Sequence, residues 1–130
     1  MAYELFKKTA ARVDTPTVSL GPDGRIAINA AVVRIFKEAR IDSVVLLWDE
    51  ENHRMAIKAS HKNDKNSYAV SFSESRSGII RAKSFLAYIR WTARDRQRLL
   101  ATWDEREQML EARLPPHVLD SIARPAVRSS

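Results

Sequence analysis

The spacing of apolar residues changes several times along the chain, and each change marks an element. Tyr3, Phe6, Ala10 and Val13 recur at helical intervals and predict a short amphipathic N-terminal helix over residues 2–13, ended before Pro16. Thr17 to Leu20 reads as a strand. Gly21-Pro22-Asp23-Gly24 is turn chemistry, and Arg25-Ile26-Ala27-Ile28 alternates, so this stretch predicts a hairpin. Asn29 can cap the next element, a helix with Val32, Ile35, Phe36 and Ala39 on its apolar face and Arg34, Lys37 and Arg40 elsewhere. Ser43 to Trp48 is rich in branched apolar residues and predicts a strand buried on both faces. Asp49 to His53 is a polar turn and Arg54 to Ala59 a returning strand, after which residues 61–67 form a polar connector.

The second part repeats this plan. Residues 67–72 predict a strand, 73–78 a turn, 79–82 a strand, and Ser84 a helix cap followed by Phe85, Leu86, Ile89 and Ala93 on one face. Residues 94–114 fit two patterns. Leu99, Trp103, Leu110 and Leu114 suit a helix stripe, whereas Leu110, Ala112 and Leu114 alternate as one strand face requires. Repetition favours the hairpin, because Trp48-Asp49-Glu50 returns as Trp103-Asp104-Glu105, although the chain has three Trp in all. Val18-Ser19-Leu20 likewise returns as Val70-Ser71-Phe72, Gly24 as Gly78, Ile26 as Ile80, Ala39-Arg40 as Ala93-Arg94, and Met55 as Met109. The expected organisation is therefore an N-terminal helix (1–14), a first half (15–60), a connector (61–67), a second half (68–116) ended by Pro115-Pro116, and a basic tail (117–130).

These residues resemble the swapped-hairpin domain of the AbrB type. Members of that family carry Gly-Arg-Ile-x-Ile-Pro before the helix, and this chain reads Gly24-Arg25-Ile26-Ala27-Ile28-Asn29, with Asn29 in place of Pro. Arg34 lies one place from the family's helix Arg, and the second half keeps Gly78 and Ile80 with Ile79 in place of the Arg. Two such units in one chain resemble the MraZ branch, in which a tandem pair replaces a dimer of single units. The resemblance implies an α+β, mostly β fold: two halves about a pseudo-twofold axis forming an interleaved β-barrel with peripheral helices. It also implies a DNA-binding transcription regulator or an antitoxin.

Composition narrows the chemistry. The chain of 130 residues carries a net charge of +6 and lacks Cys, which removes thiol catalysis, disulfides and thiolate metal sites. No apolar run reaches the length of a membrane span, and the expectation is a cytoplasmic protein without a membrane partner. His53, His61 and His117 show no ligand spacing, the acidic residues after each Trp read as turn formers, and neither a phosphate-binding Gly loop nor a nucleophilic Ser motif is present. A binding protein without a cofactor is expected rather than an enzyme. Its strongest signal is basic: Arg81, Lys83, Arg90, Arg94, Arg96 and Arg98 stand against the single acid Asp95 in one segment, with Tyr88 and Trp91 among them. Such a segment can neutralise phosphates, Trp91 can stack on a base or lid the core, and Arg25 and Asn29 flank the strand-to-helix junction of the first half. Duplex DNA is the first expected partner. The alternative is a protein-interaction module, an antitoxin or an inhibitor of a nucleic-acid-processing complex, whose basic face docks on an acidic partner; a single-strand or RNA module comes third.

Overall fold

Alternation decides the first hairpin. In the computed structural model, which describes residues 15–73 and 77–115, strands β1 (Thr17–Leu20) and β2 (Arg25–Ile28) pair antiparallel with Val18 opposite Ile28 and Leu20 opposite Ile26. Those four side chains are all but fully buried, and each contributes about 1.5–3 kcal/mol by leaving water. Gly24 closes the turn at φ 88°, and a Cβ there would lie 2.7 Å from that of Lys83. The position therefore requires glycine twice over, for its backbone angle and for the close approach of the next helix.

The other elements follow in the order α1 (Ala30–Glu38), β3 (Ser43–Asp49), β4 (Arg54–Ala59), β5 (Tyr68–Ala69), β6 (Ser71–Phe72), β7 (Gly78–Arg81), α2 (Lys83–Tyr88), β8 (Gln97–Asp104) and β9 (Met109–Arg113). The chain is mostly β. All nine strands of the described residues join one antiparallel sheet in the order β5-β3-β4-β9-β8-β1-β2-β7-β6. β8 turns the corner, since its first part pairs β1 and its second part β9. Only Val70 separates β5 from β6, so the chain steps from one edge of the sheet to the other and nearly closes a barrel. Several ladders join segments on opposite sides of the connector: β1–β8, β2–β7, β4–β9 and β3–β5. A single core fills the interior, with Ile26, Ile80, Phe36, Met55, Ile57, Leu110 and Leu114 among its fully buried members. Phe36 of α1 meets Trp103 of β8 at 6.1 Å between ring centroids. No helix among the described residues is long and apolar enough to cross a membrane.

The two Trp-Asp-Glu phrases form matching turns. Asp49 accepts the backbone N–H of Asn52 and Asp104 that of Glu107; His53 and Gln108 each take φ 53°; and the Trp48 and Trp103 indoles donate to Glu50 and Glu105. Trp48 faces Met55 across its hairpin, while Trp103 faces Leu110, so Leu110 and not Met109 occupies the place of Met55. Residues 97–113 are the expected hairpin and not a helix.

Other expectations are corrected. α2 ends at Tyr88, a turn earlier than α1 would suggest, so Ala93 lies beyond it. Both helices close the same way: Arg40 and Arg90 take φ near 60°, and the following N–H groups of Ile41 and Trp91 donate to Phe36 and Leu86. Arg90, rather than Arg94, thus stands in the position of Arg40. Ser84 is not a cap, because α2 starts at Lys83 directly after Ala82, whose N–H is held by Gly24. Residues 67–72 are not one strand. Val70 turns its N–H to Asp42, and the chain switches from pairing β3 to pairing β7. β3 is not buried on both faces, as Leu47 is 43% exposed. The N-terminal helix and the basic tail of the sequence reading fall outside the described residues, as does most of the turn before Gly78.

Candidate nucleic-acid interface

Burial of Val18, Leu20, Ile26, Ile28, Ile80 and Leu99 sends the alternate side chains of β8, β1, β2, β7 and β6 outward. The registers place Arg98, Ser19, Ala27, Ile79 and Ser71 in one row across these strands. Two residues along β2 and β7, Arg25 stands directly opposite Arg81. Like charges in that relation oppose each other across the sheet. Arg25 has a counter-ion, Asp23 at 3.6 Å, and that pair is half-exposed. Among the described residues, Arg81, Lys83, Arg96 and Arg98 form no ion pair.

Two clefts indent this face. One, of about 740 Å³, lies between the β1–β2 turn and the start of α2 and is lined by Asp23, Gly24, Arg25, Arg81 and Lys83. The other, of about 580 Å³, has a floor of small residues, Thr17, Ser19 and Ala27, with Arg96 and Arg98 on its wall. Small side chains between long cations let a bulky anion approach the sheet while guanidinium groups reach its oxygens in pairs. The fold therefore brings Arg25, Arg81, Lys83, Arg96 and Arg98, from four separate segments, onto one surface.

Of the other expected contact residues, Asn29 also lines the cleft of Arg96 and Arg98, whereas Trp91, Arg34, Arg90 and Arg94 line neither cleft. The Asn29 side chain is engaged structurally: Oδ1 accepts from the N–H groups of Val32 and Thr17, and Nδ2 donates to the carbonyl of Thr15. Asn29 therefore caps α1, as its residue type predicts, with Oδ1 accepting twice and Nδ2 donating once to the protein's own backbone. Trp91 is half-buried against the core and its indole nitrogen is enclosed without a hydrogen-bond partner among the described residues, so it is a lid and not an open stacking platform. Arg34 on α1 and Arg90 and Arg94 after α2 are exposed, yet none lines either cleft. The floor residues escaped the sequence reading. Their signal was the small residues at the alternate positions of the first hairpin, Thr17, Ser19 and Ala27.

The carboxylates serve turns. Hydrogen bonds from Asn52 and from the Arg54 guanidinium hold Asp49 down to about pKa 2, and the Asn66 N–H with the Ser60 hydroxyl lowers Asp64. Among the described residues no group of His, Asp and Glu is arranged to hold a metal ion. Comparison with protein-family models, curated proteins and solved structures gives no match, so the chemistry of this surface carries its functional reading.

Proposed function

We propose that the chain is a DNA-binding regulator made of two AbrB-like halves fused in tandem, which holds duplex DNA against the outer face of β8, β1, β2 and β7. The observation that carries this reading is the cross-strand pair of like charges Arg25–Arg81, which has Asp23 as its one counter-ion among the described residues and is flanked by Lys83, Arg96 and Arg98, which form no ion pair there. A polyanion relieves that repulsion, and each phosphate neutralised releases a counter-ion. The tandem reading is supported by the matching Trp-Asp-Glu turns, by the matching helix ends at Arg40 and Arg90, and by a β2–β7 ladder in which Ile26 faces its own counterpart Ile80. An approximate twofold axis through that pair would present the face symmetrically to duplex DNA, whose half-sites share such symmetry.

The test is a salt titration of duplex binding by the parent and by the triple variant Arg25→Gln, Arg81→Gln, Arg98→Gln. The slope of log K against log salt should fall by up to roughly 0.9 for each phosphate that the variant no longer neutralises. A control triple, Arg34→Gln, Arg90→Gln and Arg94→Gln, removes equal charge from outside the clefts and should change affinity less. Equal losses would mean that net charge alone is at work. The alternative reading, docking on an acidic protein, is favoured by the exposed Leu47 and by Leu100, an apolar side chain two residues from Arg98 on the outer side of β8 that a phosphate backbone does not match. It takes the lead if the parent shows no salt-dependent affinity for duplex.

A further inference from the structure

α2 separates two cavities that share Ser84. On one side lies the cleft of Arg25, Arg81 and Lys83. On the other is a cavity of about 550 Å³ walled by Phe85 and Tyr88 of α2, Tyr68, and Lys65 of the connector. Phe85 is buried and belongs to the core, but Tyr88 is 73% exposed, and among the described residues its hydroxyl makes no hydrogen bond. Nothing in the packing of the barrel requires an aromatic ring there. Its surroundings are basic, since Arg90 follows it at the left-handed helix end and Lys65 stands across the cavity.

We infer that Tyr88 is a stacking platform for an unpaired base, and that the preferred ligand is duplex DNA with an adjoining single-stranded segment. This rests on the proposed DNA-binding face and names its substrate class more closely. Lys83 and Tyr88 are five residues apart on one helix, about 8 Å along its axis. That span matches two to three nucleotides at roughly 3.4 Å per step. A strand whose last paired phosphates lie on Arg81 and Lys83 would cross α2 at Ser84, which both cavities share, to reach Tyr88 on its other side. Stacking tolerates any base, because each has a π-face, and flanking cations reinforce it. The cavity's polar wall, with Asn66, Ser67 and Ser84, offers donors and acceptors to a base edge.

The experiment compares a blunt duplex with the same duplex carrying a three-nucleotide 3′ extension that contains 2-aminopurine. Binding of the parent should tighten about tenfold with the extension, the equivalent of stacking one base, and 2-aminopurine fluorescence should be quenched. Tyr88→Ala should lose the gain and the quenching while keeping the blunt-duplex affinity and its salt slope; Tyr88→Phe should keep both. Thermal melting of Tyr88→Ala checks that the fold survives. An extension without effect in the parent, or a gain that persists in Tyr88→Ala, overturns the inference yet leaves the duplex-binding proposal standing. Absence of binding to either probe overturns both. A Tyr88→Ala variant that loses a protein partner while the extension has no effect would assign the cavity to that partner instead.

Discussion

Asn29 ties three pieces of backbone together with one side chain. Its role as a helix cap was legible, because capping depends on local geometry alone. Its bond to Thr17 was not, since that needs the β1–β2 pairing to bring residues twelve apart into contact. Asn29→Ala should lower stability by about 1–2 kcal/mol, and Asn29→Asp by less, because Asp keeps the Oδ1 acceptor and loses only the donation to Thr15. Urea midpoints read the stability. Duplex affinity, measured where both variants are folded, should stay at the parent value; a selective loss of affinity would return Asn29 to base reading. The pairing of Gly24 with Gly78 was visible in the sequence, but their separate duties were not. Gly24 takes positive φ, whereas Gly78 has no room for a Cβ, which would come within 2.8 Å of Ile28. Gly24→Ala should therefore cost more than about 1 kcal/mol in denaturation midpoint, combining an unfavourable backbone angle with displacement of α2.

At the scale of elements, the sequence disclosed the turns better than it disclosed the helix lengths. Trp-Asp-Glu specifies a whole turn locally: Asp accepts an N–H three residues on, a non-glycine residue enters the left-handed region, and the Trp indole finds the Glu. The second copy of that phrase settled 97–113 as strands against a composition that favours helix. The end of α2 was misplaced because Ile89 and Ala93 continue an apolar spacing that the chain does not use helically. Ile89 is buried as the cap residue, and the turn at Arg90 directs Trp91 onto the core. The β3–β4 tip gives a pH prediction. The Asp49 carboxyl titrates near 2 in the folded chain, below the usual unfolded value of about 3.9, so the folded state favours its ionised form. The stabilisation is complete above about pH 4 and is lost as pH falls towards 2. Replacing Asp49 with Asn should flatten the stability–pH curve in that window and leave it unchanged near neutrality apart from a constant offset. Chemical denaturation at several pH values reads this, and an unaltered acid slope would show that the Asn52 and Arg54 hydrogen bonds are not formed in solution.

At the scale of the molecule, the charge segment of the sequence was legible and its geometry was not. Residues 81–98 supplied most of the cations expected to meet DNA. Of these, Arg81, Lys83, Arg96 and Arg98 turn to the face, and they are joined there by Arg25 from far upstream. Sequence distance hides this because β7 and β8 are inserted on either side of the first hairpin. The same interleaving makes a thermodynamic claim. With β2 paired to β7, β1 to β8 and β4 to β9, neither half can bury its own apolar faces, and one core serves both. The chain should therefore be a folded monomer by sedimentation at low concentration, able to associate further but not dependent on it, and should unfold in one cooperative step. Ile80→Ala probes this most directly, since Ile80 faces Ile26 at the centre of the β2–β7 ladder and is fully buried. Its cost should be about 2–5 kcal/mol. Amide hydrogen exchange should then accelerate equally in the β3–β4 and β8–β9 hairpins, although the substitution lies on the second side of the connector. Faster exchange confined to residues 78–113 would mean that the halves fold as separate units, and with that the fused-pair reading would fall.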